Sequence, residues 1–166
     1  MHISINKKYL IYRNCKAKCA IGKRGIGIKK REGDLITPKG TYKIRYVLYR
    51  KDRIKKFKTK IKKIVIKKNM GWCNDSNSKD YNKLIKLPAT CSFEKLYKKE
   101  NIYDIVLVLN YNMRPIVKNK GSAIFIHVAK SDYKKTEGCV SLKKIHLLKI
   151  LKQINKNILI KIGNQK

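Results

Sequence analysis

The alternation of hydrophobic and polar positions along the chain predicts a mostly β protein. Two continuous apolar runs, 103–112 and 122–128, have polar residues at both ends and predict buried strands. Shorter segments alternate in polarity and are rich in β-branched and aromatic residues, which favours strands. These shorter predicted strands lie at 3–12, 16–21, 41–51, 64–66 and 158–162.

A different periodicity appears near the C-terminus, where apolar residues recur at the three-residue spacing of a helix. Ser141 precedes this segment and is predicted to cap it, so we expect a helix at about 141–155. A second, short helix is predicted at 92–97, with Ser92 at its N-terminal end. The residues expected on the buried face of the longer helix are Leu142, Ile145, Leu148, Leu151 and Ile154.

Three segments lack a regular pattern and are predicted to be loops. Residues 21–40 hold five Gly and one Pro, which favour tight turns. Residues 52–63 are strongly basic and predict a hairpin tip or an exposed edge. Residues 69–88 are polar around Trp72 and Tyr81, and ordered loops of this length in a compact domain are often functional.

Length and composition bound the architecture. The chain has 166 residues, 43% of them hydrophobic, and we expect a single domain at 1–166 with its own core. No apolar run approaches the ~20 residues of a membrane span. The N-terminal residues include lysines but lack the continuous apolar segment of a signal peptide. No standard signal peptide is therefore visible, and a cytoplasmic location stays open.

The chain carries a net charge of +33, from 43 basic and 10 acidic residues. Such a charge suggests a polyanionic partner, either nucleic acid or an anionic wall polymer, and a non-catalytic basic binding module is one hypothesis. The basic residues are 36 Lys but only 7 Arg, whereas a phosphate-binding protein is expected to use more Arg. Lys is encoded by A/T-rich codons, so codon bias is favoured as the main source of the charge. We expect nucleic acid to bind only by non-specific, salt-dependent attraction.

The five cysteines form neither a disulfide framework nor a zinc pattern. Their odd number leaves at least one unpaired within a single chain. Three residues separate the first two, but no second Cys or His pair follows at zinc-finger spacing, so no metal is expected. Their scattered positions favour a reducing compartment. The cysteines are Cys15, Cys19, Cys73, Cys91 and Cys139.

One of these thiols is a candidate nucleophile. Cys139 follows Gly138 and is predicted to lie just before the C-terminal helix, whose N-terminal N–H groups and dipole would lower the thiol pKa. Gly138 lets a carbonyl group approach the sulfur closely, and local N–H groups would hold an oxyanion. His127 lies near the end of a predicted buried strand and is the candidate base. The alternative is that Cys139 is a buried structural cysteine.

Two parts of the sequence form recognisable motifs. The first is a Gly-Asp-x-x-Thr-Pro-x-Gly-x-aromatic motif, formed by Gly33, Asp34, Thr37, Pro38, Gly40 and Tyr42. The second is a His…Thr-x-Gly-Cys motif, formed by His127, Thr136, Glu137, Gly138, Cys139 and Val140. Together the two motifs resemble those of the L,D-transpeptidase catalytic domain, the YkuD-type family. They occur in the order that the family has, and the resemblance spans about residues 22–152.

The resemblance implies a fold and a reaction. It implies a β-sandwich or barrel-like catalytic fold with Cys139 and His127 at the mouth of a cleft. Cys139 would attack a peptidoglycan stem peptide between an L-centre and a D-centre, releasing D-Ala and forming a thioacyl-enzyme. An amine of a second stem would then form a cross-link, whereas water would give L,D-carboxypeptidase trimming. No cofactor is implied, carbapenem-type inhibitors are expected, and the location is the periplasm or cell envelope.

Further site residues are expected around this pair. Thr136, Gly138, Val140 and Ser141 are expected to form the oxyanion site or to support it. Stem peptides and sugars suit aromatic and amide contacts, so three more residues are candidates for substrate binding. The alternative is that the aromatic pair anchors a loop in the core. These three residues are Trp72, Tyr81 and Asn82.

Two positions depart from the family's pattern. Glu137 stands where many members have His, and Ser141 stands where many have an Arg that helps to hold the substrate. A lysine is expected to replace this Arg, and Lys143 is the candidate.

Overall fold

The computed structural model describes residues 1–163, which form fourteen β-strands, one α-helix and one 3₁₀-helix. The 3₁₀-helix is Asn101–Tyr103, and the α-helix, α1, is Lys144–Gln153. The strands are β1 (His2–Ile5), β2 (Tyr9–Tyr12), β3 (Cys15–Ala20), β4 (Ile26–Gly27), β5 (Thr37–Pro38), β6 (Gly40–Tyr49), β7 (Lys63–Val65), β8 (Met70–Cys73), β9 (Leu84–Lys86), β10 (Phe93–Lys95), β11 (Ile105–Leu109), β12 (Phe125–Val128), β13 (Val140–Leu142) and β14 (Leu159–Ile162).

Eight strands close into a barrel-like circuit. Their order is β11-β12-β13-β3-β2-β1-β14-β6, and β6 pairs back with β11. Closure depends on β6, which at ten residues is long enough to pair with β14 through residues 40–43 and with β11 through residues 44–49. Strand β7 adds to β6 outside the circuit. The predicted mostly β, barrel-like fold is confirmed.

The inner core fills the barrel with alternate residues of the circuit strands. Strand β11 contributes Ile105, Leu107 and Leu109, and β12 contributes Ile126 and Val128. Side chains of α1 join the same cluster. Full burial of an aliphatic side chain is worth ~1.5–3 kcal/mol, so this cluster supplies much of the drive for folding.

The outer core lies on the opposite face of β6, β11 and β12. Val106, Val108 and Phe125 point to this side and pack against Trp72 and Leu96. A small sheet of order β10-β8-β9 covers them. Strand β11 is therefore buried on both faces, which explains why its sequence is continuously apolar rather than alternating.

Several predicted boundaries were wrong because turns interrupt the segments. The predicted strand 3–12 is a hairpin of β1 and β2, in which Asn6 Oδ1 accepts N–H bonds from the turn. Residues 69–88 contain β8 and β9 rather than only a loop. Residues 92–97 contain strand β10 rather than a helix. Residues 52–63 do not form a hairpin tip, since β7 pairs with β6 in parallel.

The C-terminal helix is shorter than predicted, and its expected buried face is wrong only at Ile145. Leu151 and Ile154 are buried and Leu148 is partly buried, as expected. Ser141 belongs to β13, and the helix begins at Lys144 without a side-chain cap. Ile145 is 69% exposed, whereas Leu147 and Ile150 are buried. The expected face followed a strict three-residue interval, which drifts around a helix of 3.6 residues per turn.

Candidate active site

Cys139 lies directly before strand β13, not before a helix. Four residues separate it from Lys144, where α1 begins. The helix dipole acts only near the first turn of a helix, so the predicted dipole stabilisation of the thiolate was wrong.

The register of β12 and β13 brings Cys139 and His127 to one cleft. These strands pair in parallel, with His127 opposite Ser141. Two residues earlier on each strand, the same register places Cys139 opposite Phe125. Since alternate residues of a strand share a face, His127 and Cys139 point to the same outer side of the barrel. Both line a cavity of about 490 Å³.

The thiol of Cys139 is held by two backbone groups of the neighbouring segment. Its S–H donates to the Ala123 carbonyl at 3.1 Å, and the Phe125 N–H donates to the sulfur at 3.4 Å. Burial raises the pKa of the Cys139 thiol to about 12, and the nearby Glu94 carboxylate acts in the same direction. The Phe125 N–H and the Lys29 ammonium oppose this rise. At neutral pH the resting group is therefore a thiol.

The imidazole of His127 is oriented by a backbone carbonyl. Nδ1 lies 2.9 Å from the Val128 carbonyl oxygen, and because a carbonyl only accepts, Nδ1 carries the proton. Nε2 of the neutral ring is then the basic nitrogen. Burial lowers the pKa of His127, although the carbonyls of Val128 and Ile102 partly counter it. The ring packs edge-on against Tyr103, with centroids 5.4 Å apart.

A carboxylate, Glu94 of β10, also borders the cleft. The Tyr103 hydroxyl donates to it at 2.7 Å, and the Lys98 ammonium lies 3.1 Å away. Its negative charge raises the pKa values of both His127 and Cys139. Sequence reasoning missed Glu94, because its segment was predicted to be helical.

The turn before Cys139 joins the two sequence motifs. The hydroxyls of Thr136 and Thr37 both donate to the Cys139 carbonyl, at 2.5 and 3.4 Å. Gly138 has φ of +139°, and a Cβ there would lie 3.0 Å from the Ile36 carbonyl oxygen. Glycine is therefore required by this close approach. The Gly138 N–H donates to Thr136 Oγ1 at 3.2 Å, so Gly138 supports the turn that holds Cys139, and its oxyanion role stays a prediction.

Val140 and Ser141 were also expected to support the site, but only Ser141 borders the cavity. Val140 is fully buried in the inner core. Ser141 is buried and borders the cavity. Lys143, expected to replace the family's Arg, is exposed and outside the cavity lining.

A buried lysine that the sequence did not single out borders the cleft instead. The Lys29 side chain is 3% exposed, and its ammonium lies 2.5 Å from Asp34 Oδ1 and 3.3 Å from the Ile36 carbonyl oxygen. Burial opposes ionisation of Asp34, but Lys29 and the N–H groups of Lys30 and Ile36 lower its pKa to about 2. With 36 lysines in the chain, residue type gave no signal for this one.

The three residues expected to contact substrate are buried outside the cavity lining. Trp72 and Tyr81 are 1% and 2% exposed, which agrees with the alternative that they anchor this segment in the core. Trp72 Nε1 donates to Asn82 Oδ1, and the same oxygen accepts from the Ala123 N–H, both at 3.0 Å. The Asn82 amide donates to two further backbone carbonyls. Asn82 thus holds the segment whose Ala123 carbonyl accepts the Cys139 S–H.

Within residues 1–163, no group of three or more His, Cys, Asp or Glu side chains has an arrangement that could hold a metal ion. The same residues include no helix long and apolar enough to cross a membrane.

The fold and the cleft define a mostly β protein that brings a thiol and an imidazole to one cavity. The sequence model of the L,D-transpeptidase catalytic domain, YkuD, matches residues 1–162, and the chain belongs to this family. The family is one of enzymes that act on peptidoglycan stem peptides, typically in the cell envelope. No curated protein matches the chain.

Proposed function

We propose that the protein is a cysteine-dependent L,D-transpeptidase that cross-links peptidoglycan stem peptides through a thioacyl-enzyme on Cys139. One observation carries the proposal: Cys139 and His127 share one face of two adjacent strands and line the same cavity. The volume of about 490 Å³ is within the range of small-molecule and peptide sites.

The first half-reaction forms the thioester. Cys139 Sγ attacks the carbonyl carbon between the L-centre and the D-centre, while His127 Nε2 takes the thiol proton. The C–N bond then breaks, and the protonated ring gives its proton to the D-Ala amine that leaves. Because burial raises the thiol pKa and lowers the imidazole pKa, proton transfer accompanies the attack instead of preceding it.

The second half-reaction releases the acyl group. The nitrogen of the acceptor amine attacks the thioester carbonyl while His127 Nε2 takes one of the amine's protons. The C–S bond then breaks, and the protonated ring returns the proton to the sulfur, which regenerates the thiol. Water in place of the amine would trim the stem by one residue. Both acceptors use the same thioester, so L,D-carboxypeptidase activity is a second outcome of the same site.

The test is incubation with a purified disaccharide-tetrapeptide followed by mass spectrometry. Wild type is expected to give a dimer that has lost one D-Ala, and Cys139→Ala is expected to give none. A tripeptide product without the dimer would change the assignment to carboxypeptidase. Substrate that stays intact with wild type, together with salt-sensitive polyanion binding that survives Cys139→Ala, would favour the basic binding module.

A further inference from the structure

A polar group without a partner lies in the wall of the cleft. Among the buried side-chain nitrogen and oxygen atoms of residues 1–163, Ser122 Oγ alone has no hydrogen-bond partner. Ser122 is 6% exposed and borders the same cavity as Cys139. A buried hydroxyl left unpaired costs free energy, so its presence here indicates a partner that arrives with a ligand.

The Lys29 ammonium lies in the same part of the wall. A Cβ on Gly121, the residue before Ser122, would be 2.2 Å from Lys29 Cε, and a Cβ on Gly138 would be 3.6 Å from Lys29 Nζ. Two glycines with positive φ thus make room for this side chain between Ser122 and Cys139. A lysine is rarely buried to this extent unless its charge is used or paired.

Lys29 keeps donor capacity for a ligand. An ammonium has three N–H donors, and in the described chain Lys29 Nζ has two acceptors, Asp34 Oδ1 and the Ile36 carbonyl. The Asp34 carboxylate in turn accepts N–H bonds from Lys30 and Ile36. These backbone donors share the negative charge of Asp34, so it does not cancel the charge of Lys29 completely.

The acidic residues that border the cavity are largely occupied. Glu32 accepts from the Tyr81 hydroxyl, and Glu94 is paired with Lys98. Glu137 is exposed to solvent at the rim. The wall of this cavity therefore holds a cation, Lys29, and a hydroxyl, Ser122, beside Cys139.

We propose that Lys29 and Ser122 form an anion-binding subsite beside Cys139 that takes the terminal carboxylate of the donor peptide. This inference rests on the proposed function, in which the residue that leaves carries its carboxylate two bonds from the nitrogen of the broken bond. Charge-assisted hydrogen bonds to a carboxylate are stronger than neutral ones and fix its direction. The subsite thereby selects donors that end one residue after the bond to be broken. It would hold the substrate in place of the Arg that many family members have at the position of Ser141.

Two alkylating reagents of the same shape test the subsite. Iodoacetate carries a carboxylate and iodoacetamide does not, and each transfers its CH₂ group to the Cys139 sulfur as iodide leaves. Peptide mass mapping follows the rate at which each reagent modifies Cys139, and the ratio of the two rates is compared between variants. This ratio removes effects on the intrinsic reactivity of the thiol, since both reagents share them.

In wild type, the ratio of the iodoacetate rate to the iodoacetamide rate is expected to be higher at Cys139 than at Cys91 in the same sample. Lys29→Met is expected to lower it roughly tenfold, and Ser122→Ala roughly threefold. Lys30→Met is the matched control, because it removes one positive charge from the exposed adjacent side chain. An equal fall in Lys30→Met, or no fall in any variant, would overturn the subsite, since general surface charge would then explain the ratio.

Folding is controlled separately. Ser122→Ala removes no hydrogen bond of the folded chain, and Lys29→Met combined with Asp34→Asn leaves no unpaired buried carboxylate.

A second readout uses donor peptides with a terminal carboxylate or a terminal amide. Both single variants are expected to raise KM for the carboxylate donor toward that of the amide donor, with a smaller effect on kcat. Normal turnover with an unchanged KM would refute the subsite alone, whereas failure of a carbapenem to acylate wild-type Cys139 would refute the proposed function.

Discussion

The inner and outer cores of this protein share strands but differ in chemistry. The inner core is apolar apart from the thiols and tyrosine hydroxyl that it contains. The outer core includes Tyr103 and borders His127, Cys139 and Glu94. A single strand, β12, serves both, because Ile126 and Val128 face inward while Phe125 and His127 face outward.

This division separates stability from reactivity along one strand. The barrel is held by residues that any well-packed aliphatic side chain could replace, within limits of volume. The outer face has to position titratable groups, and it does so with a small covering sheet and backbone carbonyls. Burial there raises the pKa of the thiol and lowers that of the imidazole, since both charged forms are disfavoured.

The largest expected effect comes from the same substitution made in each core. Leu107→Ala in the inner core and Leu96→Ala in the outer core both truncate fully buried side chains. Each is expected to lower the free energy of unfolding by ~2–5 kcal/mol, measured by urea denaturation. Only Leu96→Ala is also expected to slow carbapenem acylation of the folded fraction. Equal slowing by both would mean that the cores are not functionally separate.

A smaller loss of stability is expected at Asn82. Asn82→Asp keeps the shape but removes the two donors that bind the carbonyls of Tyr111 and Asn112. The expected cost is ~2 kcal/mol or more, because a carboxylate oxygen would face the two carbonyls. Acylation is expected to be slower because this repulsion displaces the side chain whose Oδ1 accepts the Ala123 N–H. Asn110→Asp is the control, since its side chain accepts one exposed N–H bond and keeps that role. A similar loss of stability in both variants, measured by thermal unfolding, would contradict this account.

The pH dependence of acylation is expected to follow His127. Below its lowered pKa the ring is protonated and cannot accept the thiol proton, so the rate rises as pH increases through that pKa and then stays level. Because burial lowers the pKa of His127, the midpoint is expected at a lower pH than the pKa of an ordinary imidazole. A direct thiolate route would instead make the rate rise toward the Cys139 pKa of about 12. Loss of carbapenem ring absorbance between pH 4 and 10 distinguishes the two.

Glu94→Gln gives the smallest expected change. Glu94 raises the pKa of His127, so its neutralisation is expected to move the midpoint of the same pH profile to lower pH. The rate on the level part is expected to change only a few-fold, since Gln still accepts from Tyr103. A midpoint that moves to higher pH would show that the two groups do not interact as described.

The sequence predicted the inner core better than the outer one. The apolar runs of β11 and β12 and the alternation in β6 follow directly from burial, so their strands were confirmed. The small covering sheet was missed because its strands have three or four residues each, too few for a period to be recognised.

The candidate site was predictable only where side-chain type carries the chemistry. Cys139 and His127 were selected from the sequence, and the register of β12 and β13 brings them to one cleft. The carbonyls of Val128 and Ala123 could not be predicted, since every residue has one. Lys29 could not be selected from the sequence because the chain has many lysines, and only its burial distinguishes it.

The most direct test of the central claim is the intact mass of the protein after incubation with a carbapenem. Wild type is expected to gain one adduct, Cys139→Ala none, and His127→Gln the same adduct at a rate lower by a factor of ~10²–10⁴. An adduct that persists in Cys139→Ala, or a wild-type protein that stays unmodified, would contradict the assignment of Cys139 as an activated nucleophile facing His127.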